Sequence, residues 1–166
     1  DTLFRGQQFT LRSSSKKDNH KRESDFQRVI MTGILLVTHG TLADGFASAV
    51  NLIIGEQENF SVLGLFEDDS IDELPERIKS KICAFKDNDD VLVLVDLFGA
   101  SPFNSAARTV HNMQDLDANV VTGVNLGMLL EVIMQRNSMT LHELSELAIQ
   151  SGKQGIISLL NMIAKE

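Results

Sequence analysis

From Ile34 onward the chain alternates short aliphatic runs with longer stretches in which apolar residues return every third or fourth position. Runs at 33–38 (GILLVT), 60–66 (FSVLGLF), 91–95 (VLVLV) and 118–124 (ANVVTGV) have the length and near-continuous hydrophobicity of buried strands. Helical periodicity fills the gaps. Over 42–54, Phe46, Val50, Ile53 and Ile54 share a face and Gly55 supplies a C-terminal stop. Over 71–86, Ile71, Leu74, Ile78, Ile82 and Phe85 recur at helical spacing, and Ser70 with Glu73 has capping-box spacing. A third helix is predicted to open at SPFN, with Ser101 as N-cap and Pro102 in the first helical position. A fourth covers 126–136. The last opens at Thr140 and Glu143, again a capping-box pair, and runs to Ser151, where Gly152 and Gly155 interrupt it. The following GIISLL (155–160) fits a strand or a helix equally well.

Strand and helix alternating in this way predict βαβ units and an α/β fold. The expected architecture is a doubly wound, mostly parallel sheet with helices on both faces, in the flavodoxin-like order 2-1-3-4. The patterned region, 31–166, is one domain of ordinary size.

Charge separates that domain from what precedes it. Residues 1–30 carry +3 and lack any sustained period, whereas 31–166 carry −11, together the formal −8. The leader is too polar to offset its ordering entropy. It reads as an appended extension with a native start at Met31 or as a genuine basic arm, and His20 within it has no chemical role. An acidic body argues against nucleic acid or an anionic membrane as partner and suits partners with basic faces. The longest aliphatic run, Val91–Val95, falls far short of the roughly 20 residues of a membrane helix, and no secretory h-region is present. A cytoplasmic location follows. The single cysteine, Cys83, sits among Ile78, Ile82 and Phe85 and is expected to be a small buried hydrophobe.

Candidate chemistry lies where the strands end. His39 closes the first strand, and DLFGASPFN (96–104) leaves the third. In the order 2-1-3-4 these strands are neighbours, and ligands of open parallel sheets bind at their carboxyl ends. An Asp96 carboxylate accepting from one ring nitrogen of His39 would fix the tautomer and leave the other nitrogen as a nucleophile. The turn through Gly99 and Ala100 into a helix starting at Ser101 offers amides and a hydroxyl for an anion. The group transferred would be phosphoryl. Each residue alone has an ordinary explanation: His39-Gly40 a turn, Asp96 a strand-end cap, Ser101-Pro102 a helix start. Nucleophile, orienter and anion cradle converging on one sheet edge carry more weight. His111 and His142 fall on helices, and the acidic runs EDDS (67–70) and DNDD (87–90) read as solvated turns rather than metal loops.

GILLVTHG (33–40), LVDLFGASPFN (94–104) and GVNLGML (123–129) together resemble the three motifs of the mannose-family IIA component of the bacterial phosphoenolpyruvate:sugar phosphotransferase system (PTS). IGEQENF and SGKQGI extend the similarity from about Thr32 to about Leu160. The resemblance implies a cytoplasmic phosphotransferase. His39 takes phosphoryl from the phosphocarrier HPr and passes it to a histidine of the IIB component, beside a membrane permease. It further implies that Asp96 orients His39 and that Gly40, Gly99, Ala100, Ser101 and Asn104 surround the phosphoryl group, with no metal or other cofactor. A homodimer exchanging a C-terminal strand is implied too, with GIISLL as the strand and Gly152 and Gly155 as the hinge. Two positions depart from the pattern: Ala100 replaces a second glycine, and Gly127 replaces a proline, which puts the rigidity of the loop after the fourth strand in doubt. Three alternatives stand beside this reading: the phosphotransferase subunit of dihydroxyacetone kinase, a small cobalt or nickel chelatase of tetrapyrrole synthesis, and a non-catalytic regulatory module. Receiver domains need an acidic pair where LLVTHG offers a histidine. The sugar is set elsewhere.

Overall fold

The structure is a computed structural model and describes residues 31–85, 90–113 and 115–163. The expectations for residues 1–30, His20 included, and for 87–89 lie outside these residues.

Four strands form one sheet: β1 (Gly33–His39), β2 (Phe60–Leu65), β3 (Asp90–Val95) and β4 (Asp117–Thr122). All pairings are parallel, in the order β2-β1-β3-β4. The helices are α1 (Leu42–Ile54), α2 (Leu74–Cys83), α3 (Ser101–Asn112), α4 (Leu126–Gln135), α5 (Leu141–Gln154) and α6 (Leu159–Ile163).

The period-2 alternation of strand side chains splits the core into two layers. Ile34, Leu36, Leu92 and Leu94 point to the face covered by α1, α4 and α5, where they meet Val50, Leu129, Val132 and Leu144. Leu35, Val37, Val91, Val93 and Val95 point to the other face and meet Leu74, Ile78 and Ile82 of α2 and Ala106 of α3. β1 and β3 are buried on both faces, which is why they read as unbroken aliphatic runs. The predicted fold class and strand order are those observed.

Several local expectations are corrected. α2 starts at Leu74 rather than Ile71, because Pro75 lacks an N–H and belongs in the first turn; Ser70 and Glu73 are joined only through the Glu73 N–H and the Ser70 carbonyl. Cys83 is exposed, since it follows the core-facing Ile82 and is turned about 100° away from it. α5 passes through Gly152 without a break and ends at Gly155. A Cβ on Gly152 would lie 2.5 Å from the Met128 methyl, so this glycine marks a close helix contact rather than a hinge. Gly127 lies inside α4, whose start is fixed by the Asn125 side chain accepting from the Met128 N–H at 3.0 Å, so the loop it was expected to loosen does not contain it. Asp69 of the acidic run EDDS is not simply solvated: it pairs with Arg77 at 2.8 Å and accepts the Phe66 N–H at 2.9 Å. Residues 156–158 are irregular and 159–163 form α6, so GIISLL is not a strand here.

Candidate active site

β1 delivers His39 to the carboxyl edge of the sheet, and the chain leaving β3 delivers Asp96 next to it, because Val37 and Val95 are partners in the β1–β3 register. His39 Nδ1 lies 2.8 Å from Asp96 Oδ2, and the His39 backbone N–H donates to that same oxygen at 2.9 Å. The second carboxylate oxygen accepts the Leu97 N–H at 2.8 Å. Asp96 is therefore held by the end of β1 and by the backbone that follows it. Its side chain is 14% exposed, against 47% for the His39 side chain.

Partial burial pushes the Asp96 carboxyl upward. The His39 backbone N–H, the ring, the ring's charge and the Leu97 N–H outweigh it, so the group titrates below the ordinary carboxylate value. The ionised carboxylate is acceptor-only, which assigns the shared proton to His39 Nδ1; in the neutral imidazole the lone pair then lies on Nε2.

The turn after His39 is shaped by Gly40 at φ +53°, a conformation that glycine adopts without strain. The Gly40 N–H donates to the Leu65 carbonyl at 2.8 Å, so it fixes the turn to β2 and is not directed at a ligand. Thr38, fully buried, accepts the Ala43 N–H on its Oγ1 at 2.8 Å and ties the start of α1 to the end of β1. The sequence reading passed over Thr38; a hydroxyl inside an aliphatic run was its signal.

On the β3 side, Gly99 turns the chain at φ +77° and Ala100, extended, is the N-cap of α3. Ser101 is thus the first helical residue and Pro102 the second, so the helix starts one residue earlier than predicted. The reason is that the Ala100 carbonyl already accepts the Asn104 N–H at 3.0 Å. The Asn104 side chain donates to the Gly99 carbonyl at 2.9 Å, which braces the loop and commits that amide nitrogen. The Gly99, Ala100 and Ser101 amides and the Ser101 hydroxyl carry no such commitment among the described residues, and they sit at a helix N-terminus. Of the residues predicted for the site, the structure joins His39 to Asp96 directly and places Gly99, Ala100 and Ser101 on the loop that leaves Asp96. It turns Gly40 and Asn104 to holding the backbone. Among the described residues, no three His, Cys, Asp or Glu side chains are grouped to hold a metal ion, and His111 and His142 are exposed on α3 and α5.

Residues 33–149 match the family model of the PTS system fructose IIA component, EIIA-man. The chain belongs to this family. The mannose-family EIIA proteins are phosphotransfer components of sugar transport. The chain is 32% identical over 127 residues to the mannose-specific EIIAB component of Escherichia coli K12, covering 76% of this chain and 39% of that protein. It therefore spans about two fifths of that relative's length. It is 31% identical over 114 residues to the fructose-specific EIIA component of Bacillus subtilis, covering 69% of this chain and 77% of that one. Among solved structures, an EIIA component from Streptococcus agalactiae superposes with a TM-score of 0.74 at 30% identity, covering 79% of this chain and 99% of that one. Among the described residues, no helix of this EIIA chain is long and apolar enough to cross a membrane.

Proposed function

We propose that His39 is the phosphoryl acceptor of this EIIA component. It takes the group from the phosphohistidine of HPr and hands it to a histidine of a IIB component, in the cytoplasm beside a sugar permease. The observation that carries this reading is the 2.8 Å contact from Nδ1 to Asp96 on a histidine whose side chain is otherwise open. Nε2 attacks phosphorus as the donor's P–N bond breaks, and the donor imidazole leaves with the bonding electron pair. The Nδ1 proton stays between His39 and Asp96, and the Asp96 carboxylate offsets the positive charge that bond formation puts on the ring. The amides of Gly99, Ala100 and Ser101, with the Ser101 hydroxyl, face the phosphoryl oxygens and steady their charge. Histidine-to-histidine transfer is nearly balanced in free energy, so alignment accounts for most of what the protein must supply.

The family resemblance also suggests a homodimer that exchanges its C-terminal segment. Two features support it. Among the described residues, β4 is an edge strand with an unpaired side, and Ile156, Ile157, Leu159, Leu160, Met162 and Ile163 are all exposed.

Incubation with phosphoenolpyruvate, enzyme I and HPr, read by intact mass, tests the proposal. One acid-labile phosphate is expected on the parent and none on His39→Ala; an equal gain on both sinks it.

A further inference from the structure

Asp96 holds His39 from the β3 side. On the β2 side the histidine is held through the turn at Gly40. The Gly40 N–H donates to the Leu65 carbonyl at 2.8 Å, and a Cβ on Gly64 would collide with the Gly40 carbonyl oxygen. The turn that carries the histidine therefore rests on the β2 backbone at two consecutive residues. Among the described residues β2 is an edge strand, with no strand paired to its outer side. Such an edge leaves its outward N–H and C=O groups to find other partners.

Arg77 and Asp69 are those partners beside the site. Leu74 and Ile78, fully buried, anchor α2 on the sheet. Between them in sequence, Arg77 donates from Nη2 to the Gly64 carbonyl at 3.2 Å. Its Nη1 lies 2.8 Å from Asp69 Oδ2, and that oxygen accepts the Phe66 N–H at 2.9 Å. Gly64 and Phe66 flank Leu65. The pair thus takes the outward backbone groups on either side of the residue whose carbonyl faces inward to Gly40. Together the two side chains stand in for a further strand. They are 35% and 28% exposed, and an ion pair that open to water adds little to global stability. What the arrangement supplies is a fixed backbone at 64–66.

We infer that Arg77 and Asp69 are positioning residues for phosphoryl transfer: they brace the 64–66 backbone, which holds Gly40 and so the His39 imidazole in line with the incoming phosphorus. The inference rests on His39 being the acceptor proposed above. Because alignment is most of what this reaction asks of the protein, a loosened turn slows the transfer without weakening the hold on the donor.

Arg77→Met in the full chain tests this, since it keeps an unbranched apolar stem and loses the guanidinium fork. The maximal rate of acceptance from saturating phospho-HPr is expected to fall by roughly 10-fold, with KM for phospho-HPr within about twofold of the parent. The melting temperature is expected to stay within about 5 °C. Amide hydrogen exchange, read by NMR, is expected to quicken at Gly40 by at least about 5-fold more than at Leu36 in the middle of β1. Asp69→Ala is expected to behave alike, and the double variant to be within about twofold of the slower single one, because both substitutions remove the same brace. A maximal rate within twofold of the parent overturns the inference. So does a raised KM at an unchanged maximal rate, a double variant in which the two losses multiply, or a slow variant in which Gly40 quickens no more than Leu36. A parent chain that takes no phosphoryl fails the function proposed above, and the exchange at Gly40 relative to Leu36 then decides by itself whether the brace holds the turn.

Discussion

Asp96 Oδ2 meets both the ring Nδ1 and the backbone N–H of His39, at 2.8 and 2.9 Å. One oxygen atom thereby fixes the imidazole's tautomer and the position of the residue that bears it. Asp96→Asn keeps a carbonyl for one of these contacts and loses the charge that favours Nδ1–H. Phosphoryl acceptance is expected to fall by roughly 10²-fold with the fold intact by circular dichroism. A rate within twofold of the parent removes Asp96 from the mechanism.

The same pair gives a pH dependence of stability. The folded Asp96 carboxyl titrates below its unfolded value, so its contribution is complete above the unfolded value of about 3.9 and is lost as pH falls through the depressed folded value. The melting-temperature gap between parent and Asp96→Asn is expected to shrink as pH falls from about 5 and to close below about pH 4. A gap that widens on acidification contradicts the sign.

The four strands, their order and the meeting of His39 with Asp96 could be read from the sequence because each depends on a strong signal. Strands buried on both faces must be continuously apolar, as 91–95 is, and two motifs at the carboxyl ends of neighbouring strands must share an edge. What escaped depends on single hydrogen bonds or on one residue of phase. The pattern places a glycine at 40 but does not show that its N–H goes to Leu65. It marks a helix start near SPFN but not that the Ala100 carbonyl takes the first helical bond. Cys83 falls within reach of three apolar neighbours in sequence, yet one step of helical rotation turns it to solvent.

Arg136 was also invisible to periodicity, and it is buried at the end of α4. It donates to the carbonyls of Glu58 at 2.6 Å and Asn59 at 3.2 Å, which clamps the loop between α1 and β2. Burial lowers the pKa of this guanidinium, and Glu58 opposes that shift. Arg136→Met takes the guanidinium from the Glu58 carbonyl and leaves the Asn59 carbonyl with the Ile34 N–H, and denaturant unfolding is expected to show a loss of about 1–3 kcal/mol. A loss under about 0.5 kcal/mol contradicts the clamp.

At α5 the predicted capping box is present, with the Glu143 N–H donating to Thr140 Oγ1 at 3.3 Å and the Thr140 N–H to Glu143 Oε2 at 2.9 Å. Thr140→Ala is expected to cost about 1 kcal/mol in denaturant unfolding and Thr140→Ser much less. Equal costs would assign the effect to the lost methyl group instead of the hydroxyl.

The central claim is that Asp96 occupies one ring nitrogen so that the other reacts. Nitrogen-15 NMR of the phosphorylated, histidine-labelled protein reads this directly through the one-bond coupling between phosphorus and nitrogen. Phosphorus on Nε2 of His39, with Nδ1 still protonated, is the predicted result; phosphorus on Nδ1, or on any other histidine, contradicts it.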